Sequence, residues 1–309
     1  MLSSLLTVGQ QIIILFLLMA VGFALGKARM IDDRGSVAMS NVAMYGSIPA
    51  MLIVSFQREL VASDLRDFGL IALLTAVSIG STIVLCTLLI RKGELSRRRI
   101  LRFAGVFSNS GFMGYPLMFA ILGTTGVFFG SAYVATFQLF VWTWGVYCMT
   151  GDRKCMKLRP ILLSPGIIGV VIAMSLYLLR ITLPDIIFTP IQHLANMNTP
   201  LPMVVVGYQL SHADLKGALR GADVWLCALL RMVAAPLIVL GICLALGANT
   251  VVTTVLVIAA SAPPAAITSM FAAKFGSDTA LASSIVSLHT LFSIVTMPLI
   301  IALAQHLGG

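Results

Sequence analysis

Long apolar stretches recur along the whole chain of 309 residues, and they constrain the fold more than any other feature. A helix needs roughly 20 apolar residues to cross the hydrocarbon core of a bilayer. Runs of this kind follow one another with only short polar connections, so we predict an all-α integral membrane protein with ten transmembrane helices. The predicted spans 1 to 10 cover residues 8–26, 36–57, 68–90, 101–122, 125–149, 161–180, 190–211, 221–246, 250–273 and 279–304.

The composition agrees with a lipid environment. Hydrophobic residues make up 59% of the chain and charged residues only 10%, whereas a soluble protein carries roughly 25% charged residues. The formal net charge of +9 does not indicate a nucleic-acid partner, because the basic residues sit in short loops between apolar runs. The five cysteines form no metal-binding spacing, and we interpret them as small apolar packing residues.

The loop charges predict an orientation. Sixteen lysines and arginines fall in the loops 1–2, 3–4, 5–6, 7–8 and 9–10, against three on the opposite side, Arg58, Arg66 and Arg180. Lysine and arginine are enriched in cytoplasmic loops. We therefore expect a multi-pass protein of the cell inner membrane with both termini on the periplasmic or extracellular side.

Weak sequence similarities relate the two halves of the chain. We expect residues 1–150 to hold helices 1–5 and residues 151–309 to hold helices 6–10. With five helices in each half, the halves have opposite orientation, which is the inverted-repeat plan of many transporters. The similar segments are residues 47–51 with 199–203, 114–116 with 262–264, Gly123 with Gly276, and 138–140 with 290–292.

Proline, small and polar residues interrupt spans 4 and 9 near the middle of the membrane. A proline inside a helix removes one hydrogen bond and clashes with a carbonyl one turn earlier. A simple kink is one interpretation, but matched breaks in corresponding spans of two halves are typical of a binding site at the membrane midplane. The new helix N-termini carry free N–H groups and partial positive charge, which favour an anion.

Several motifs together resemble the auxin efflux carrier family, which includes bacterial organic-anion carriers. The residues that carry this resemblance are 109–116 (NSGFMGYP), 198–201 (NTPL) with Gly207 and Leu210, Pro264 with 271–276 (FAAKFG), and 282–298. The resemblance covers the whole chain in order.

The resemblance implies a fold shared with bile-acid sodium symporters. Helices 1, 2, 6 and 7 would form a scaffold, often a homodimer, and helices 3–5 and 8–10 a moving transport domain. The broken helices 4 and 9 would cross at Pro116 and Pro264. Substrates would be small organic anions of the carboxylate class, carried by an elevator-type mechanism. The family often has asparagine where this chain has Thr268, and serine where it has His289.

Candidate substrate contacts lie around the two breaks. The Asn109 amide can donate to a carboxylate or cap freed carbonyls. Gln138 and Thr290 occupy corresponding positions in helices 5 and 10. Each of them either lines the site or makes ordinary interhelical hydrogen bonds. The predicted substrate-binding residues are Asn109, Ser110, Tyr115, Pro116, Gln138, Pro263, Pro264, Thr268 and Thr290.

Two ionisable residues lie deep in the predicted spans. His289 is about ten residues into helix 10, where it is either a proton-coupling group or a neutral histidine with one hydrogen bond. Arg231 has no acidic partner in any helix core, so it snorkels, binds the carbonyl ends of a broken helix, or meets the anionic substrate. The lack of core carboxylates favours proton coupling or uncoupled transport over sodium coupling.

Other functional classes find little support. The sequence has no metal-type cluster, no nucleophile motif and no phosphate-binding loop, so we expect neither an enzyme nor a cofactor nor an ATP-driven pump. A channel or a membrane sensor that binds an organic anion is the alternative to a carrier.

Overall fold

The computed structural model of the protein describes residues 2–156, 162–213, 215 and 221–307. Within those residues the chain is helical, with a single isolated β-bridge in place of any strand, which confirms the all-α prediction. Four of the basic loop residues used to predict the orientation, Lys157, Arg159, Lys216 and Arg220, lie outside the described residues.

The principal helices are numbered along the chain. They are α1 (Leu2–Lys27), α2 (Asp33–Phe56), α3 (Ala62–Leu89), α4 (Leu95–Val106), α5 (Ser110–Thr150), α6 (Pro165–Leu178), α7 (Asp185–Asn196), α8 (Pro200–His212), α9 (Ala222–Ala245), α10 (Thr250–Ser261), α11 (Ile267–Lys274) and α12 (Thr279–Leu307).

Among the described residues, six helices are long and apolar enough to cross a membrane individually: α1, α2, α3, α5, α9 and α12. Helices α6 and α10 are shorter apolar helices. These lengths and compositions are those of a multi-pass membrane protein. The number of ten crossings stays a prediction, because predicted spans 4, 7 and 9 are each divided into shorter helical pieces.

Helix α5 is a hairpin of two arms, residues 110–122 and 124–150. Gly123 has φ 62°, a left-handed value that glycine adopts without strain. A Cβ placed on Gly130 would lie 3.3 Å from the Tyr115 ring. Residues this far apart on one straight helix would be separated by about 22 Å, so the chain must reverse at Gly123. The predicted boundary between spans 4 and 5 falls at this turn.

Helix packing divides the described chain into two groups. In the first group, α1 packs along α8, and α2 packs against α6 and α7. The α1 and α8 backbones nearly touch, since a Cβ on Gly22 would lie 2.1 Å from the Val204 oxygen, and one on Gly207 would lie 1.9 Å from the Met19 oxygen. Small residues permit such close approach between membrane helices.

The second group surrounds α10. This helix packs against α3, α5, α9 and α12, and all of its residues from Val252 to Ser261 are buried. The two groups meet along α1 and α12 and between α2 and α5. Helix α10 is therefore the centre of the group that contains both predicted breaks.

Candidate functional site

The two predicted breaks lie against each other and pair through their backbones. The Asn109 N–H donates to the Pro263 carbonyl at 2.7 Å, and the Ala265 N–H donates to the Phe107 carbonyl at 2.9 Å. Ser108 and Pro264 thereby form an antiparallel bridge. Four helix ends meet at this crossing: α4 and α10 end before it, and α5 and α11 begin after it.

The position of the crossing is predicted correctly in the second half and wrongly in the first. Pro264 lies at the crossing, but its partner is Ser108 and not Pro116. Pro116 is in the first turn of the helix that begins at Tyr115, directly after a π-helical turn. The chain therefore stays helical through Pro116, and the wider π-helical turn before it is one of the local adjustments that let a membrane helix accommodate a proline.

The second break has a direct cause in the sequence. A residue before proline is pushed into extended conformation, and Ala262 has φ −61° and ψ 144°. The Pro263 carbonyl and the Ala265 N–H are then free to pair with Asn109 and Phe107. The first break is thus stabilised by pairing with the second.

Arg231 occupies the side of the crossing where helices end. It lies in a π-helical turn of α9 and is 2% exposed. Its Nη1 donates to the Val106 carbonyl at 2.7 Å, and its Nη2 donates to the Ala260 carbonyl. These carbonyls belong to the last turns of α4 and α10, where acceptors lack helical donors. Of the three roles considered for Arg231, this geometry is that of binding the carbonyl ends of broken helices.

Unpartnered polar side chains collect on the other side, where helices begin. The Asn109 Nδ2, Ser110 Oγ, Tyr115 Oη and Thr268 Oγ1 atoms are all buried and have no hydrogen-bond partner among the described residues. Asn109 makes no capping hydrogen bond, although it precedes the first turn of α5. Buried polar groups in proteins are nearly always bonded, so four such atoms without partners at the starts of α5 and α11 need an explanation such as a ligand.

Gln138 and Thr290 have different surroundings. The Gln138 Oε1 atom is buried without a partner, and the side chain lies near Gly166 at the start of α6. It therefore faces the first packing group. The Thr290 hydroxyl donates to the Val286 carbonyl of its own helix at 2.7 Å. Its proton is already used, so only the oxygen lone pairs remain for another group.

His289 of α12 is fully buried, and neither ring nitrogen has a hydrogen-bond partner among the described residues. Its ring stacks on Phe292 with a centroid distance of 6.4 Å, and Phe292 in turn stacks on Trp225 at 5.3 Å. The imidazole faces the backbone of Val224 in the first turn of α9. Val224 lies about two turns of α9 from Arg231.

Three further buried polar residues were not predicted as site residues: Ser108 and Tyr133 at the crossing, and Asn198 in the first packing group. The Ser108 and Tyr133 hydroxyls lie 3.1 Å apart and are buried. The Asn198 Nδ2 donates to the Met51 sulfur at 2.8 Å, and its Oδ1 is buried without a partner. A polar residue before Thr199-Pro200 in an apolar run was the available signal for Asn198. Tyr133, in an aromatic-rich run, offered none.

Two cavities are lined by residues outside the crossing. One of about 640 Å³ is lined by Phe56, Arg58, Tyr177 and Arg180 among others. One of about 130 Å³ lies between the two packing groups, with Ser55, Phe119 and Asn196 in its wall. Neither lining includes the four unpartnered residues.

Comparison with known proteins settles the family. The sequence matches the family described as membrane transport protein over residues 7–301. The chain belongs to the auxin efflux carrier family. This is a family of membrane transporters and not of enzymes.

Two similar proteins in this family come from archaea. An uncharacterized transporter of Methanothermobacter thermautotrophicus is 25% identical over 300 residues, covering 94% of this chain and 96% of the relative. An uncharacterized transporter of Methanocaldococcus jannaschii is 21% identical over 301 residues, covering 93% and 96%. Both likenesses extend along nearly the whole chain, so they include both breaks.

Proposed function

We propose that this membrane transporter is a secondary carrier of small organic anions of the carboxylate class. The observation that carries the proposal is that the two sides of the crossing differ in their hydrogen bonding. Arg231 binds the carbonyl ends of α4 and α10, whereas the starts of α5 and α11 keep buried polar atoms without partners. Helix starts carry partial positive charge and free N–H groups, which suit a carboxylate.

In this proposal the carboxylate lies beside Asn109 and Thr268. The Asn109 amide donates to one oxygen, and the Thr268 and Ser110 hydroxyls donate further hydrogen bonds. Tyr115, Pro116, Pro263 and Pro264 shape the surrounding wall. Gln138 and Thr290 extend the site towards the first packing group and α12.

The architecture that we propose is two inverted five-helix repeats, residues 1–150 and 151–309, with ten crossings. Matched backbone features support it. Gly123 and Gly276 both have positive φ, and so do Arg29 and Arg180, at the ends of α1 and α6. The antiparallel pairing of Ser108 with Pro264 is also expected when equivalent segments of inverted repeats cross.

Transport would follow an elevator-type mechanism of alternating access. The first packing group corresponds to the scaffold, helices 1, 2, 6 and 7 of the ten, and the group around α10 to the moving domain, helices 3–5 and 8–10. The protein would lie in the cell inner membrane as a homodimer, with both termini on the periplasmic or extracellular side. Coupling to protons through His289 is favoured over coupling to sodium.

Purified protein tests the proposed substrate class. A thermal-shift screen in detergent first identifies carboxylates that stabilise the protein. Protein reconstituted in liposomes should then transport a labelled form of such a carboxylate. Matched amines and neutral amides of the same carbon skeleton should neither stabilise the protein nor compete. Uptake that is equally blocked by the neutral analogues would overturn the assignment of an anion site.

A channel or an anion-binding sensor is the second candidate, and domain locking separates it from a carrier. Val54 of α2 and Phe119 of α5 line the same small cavity from the two packing groups. In a variant without the native cysteines, a thiol crosslinker joining cysteines at these two positions should stop an elevator carrier. Flux that continues after complete crosslinking would favour a channel.

A further inference from the structure

Arg231 is an enclosed cation without a carboxylate. Among the buried polar and charged residues that the structure describes, Arg231 and His289 are the only ionisable side chains with basic groups, and no aspartate or glutamate is buried. Other arginines have acidic partners, such as Arg97 with Asp223 at 2.5 Å. The charge of Arg231 must therefore be balanced by something other than an acid.

The ends of α4 and α10 supply that balance. The C-terminus of a helix carries about half a negative unit charge. Two such ends contact the guanidinium through the Val106 and Ala260 carbonyls, so together they match its single positive charge. The guanidinium is planar, permanently charged and able to donate in two directions, which a single side chain needs in order to hold two helix ends.

The same place has the chemistry of a sodium site. In carriers with broken helices, backbone carbonyls at half-helix C-termini coordinate the coupling cation. Oxygen atoms of carbonyls and hydroxyls are the ligands that such hard cations take. The Ser108 and Tyr133 hydroxyls, 3.1 Å apart, lie beside the Phe107–Asn109 break that follows Val106.

We propose that Arg231 is a built-in cation that replaces a bound sodium ion at the ends of α4 and α10. Its removal would leave a vacant site for a monovalent cation. Because the guanidinium is covalently attached and bonded to both helices, its charge travels with the crossing and is not exchanged with water. Transport then needs no sodium, a consequence that rests on the proposed carrier function, whereas the cation site itself does not.

Thermal denaturation in detergent tests the site without any transport assay. Protein is compared in sodium, potassium, choline and low-millimolar guanidinium chloride. The wild type should show one melting temperature in all four. Arg231→Ala should melt lower in choline and recover part of the loss in sodium or guanidinium. Arg231→Met should melt lower with no recovery, since its side chain fills the space without charge.

Arg102 provides a matched control. It also donates to carbonyls at a helix end, Ile90 at 2.9 Å and Thr87 at 3.2 Å, but at the surface end of α3. Arg102→Ala should gain no response to any cation. Equal behaviour of Arg231→Ala and Arg231→Met in all salts would overturn the proposed site.

Two further measurements keep the proposal testable if Arg231→Ala does not fold. Arg231→Lys retains the charge and should melt at one temperature in sodium and choline. A wild type that is stabilised by sodium over choline would overturn the proposal directly. In liposomes, carboxylate uptake by the wild type should be unchanged when choline replaces sodium. A total lack of carboxylate uptake would contradict the carrier function, while the melting data would still decide the cation site.

Discussion

The two sides of the helix crossing differ in how completely their polar groups are bonded. Where α4 and α10 end, Arg231 donates to carbonyls of both helices through Nη1 and Nη2, and of its three nitrogens only Nε is buried without a partner. Where α5 and α11 begin, Asn109, Ser110 and Thr268 each bury a polar atom without a partner. We call the side where the helix-end carbonyls are bonded by a protein side chain the complete side, and the side where the polar groups at the helix starts have no protein partner the incomplete side.

This difference separates stability from function. An unsatisfied buried polar group destabilises a protein by about 1–3 kcal/mol. Removing a bonded group from the complete side should therefore lower stability, whereas removing an unpartnered group from the incomplete side should not. If the incomplete side binds substrate, its residues should show their effect in binding and transport.

Arg231→Met should have the largest effect on stability. It removes two charge-assisted hydrogen bonds, each contributing about 1.5–3 kcal/mol, and leaves two buried carbonyls without donors. We expect a fall of about 3–5 kcal/mol in the free energy of unfolding. Denaturant titration in detergent micelles measures this change. An unchanged titration midpoint would mean that the two sides of the crossing do not differ in the way described.

Asn109→Ala should have the largest effect on transport among variants that keep the fold. A hydrogen bond to a charged group contributes about 1.5–3 kcal/mol, so we expect a loss of about 10- to 100-fold in carboxylate affinity. Because the Asn109 Nδ2 has no partner in the protein, the melting temperature without ligand should stay the same or rise. Uptake in liposomes and ligand-induced thermal shifts measure both quantities.

Asn249→Ala is the matched control for that variant. Asn249 caps α10 by accepting from the Val252 N–H at 2.9 Å, and it also donates to Asp67 at 2.7 Å. Loss of such a cap costs about 1 kcal/mol. This variant should melt lower and transport normally, the reverse of Asn109→Ala. Equal losses of transport in the two variants would contradict a substrate role for Asn109.

Thr268→Val should have a smaller effect of the same kind. Valine has the same shape, and the Thr268 hydroxyl is fully buried without a partner, so its removal should raise stability by about 1 kcal/mol. Loss of one neutral hydrogen bond to substrate should weaken carboxylate binding about two- to tenfold.

Thr75→Val is the control, because the Thr75 hydroxyl is equally buried but donates to the Ile71 carbonyl of its own helix at 2.7 Å. Binding should be unaffected by this change, and stability should not rise. A fall in the melting temperature of Thr268→Val would indicate that its hydroxyl is bonded within the folded protein.

The two sides also differ in how far the sequence predicts them. Pro263 and Pro264 act locally, so the second break can be located from the sequence. The first break lies at Ser108 because residues 107–109 pair with a distant segment, and no local signal reports such pairing. The partners of Arg231 are backbone carbonyls, which every residue has, so only the folded positions of α4 and α10 identify them.

His289 should show the smallest effect, and only on the pH dependence of transport. The groups facing it are the Val224 backbone, the Phe292 ring and, further along α9, the Arg231 charge. If His289 carries a proton during transport, His289→Gln should flatten the pH profile of uptake in liposomes with little change in the carboxylate affinity. His306→Gln, near the end of α12, is the control and should keep the wild-type profile. An unchanged pH profile of uptake in His289→Gln would mean that His289 only packs within the protein. The complete side of the crossing would then have no proton-coupling group.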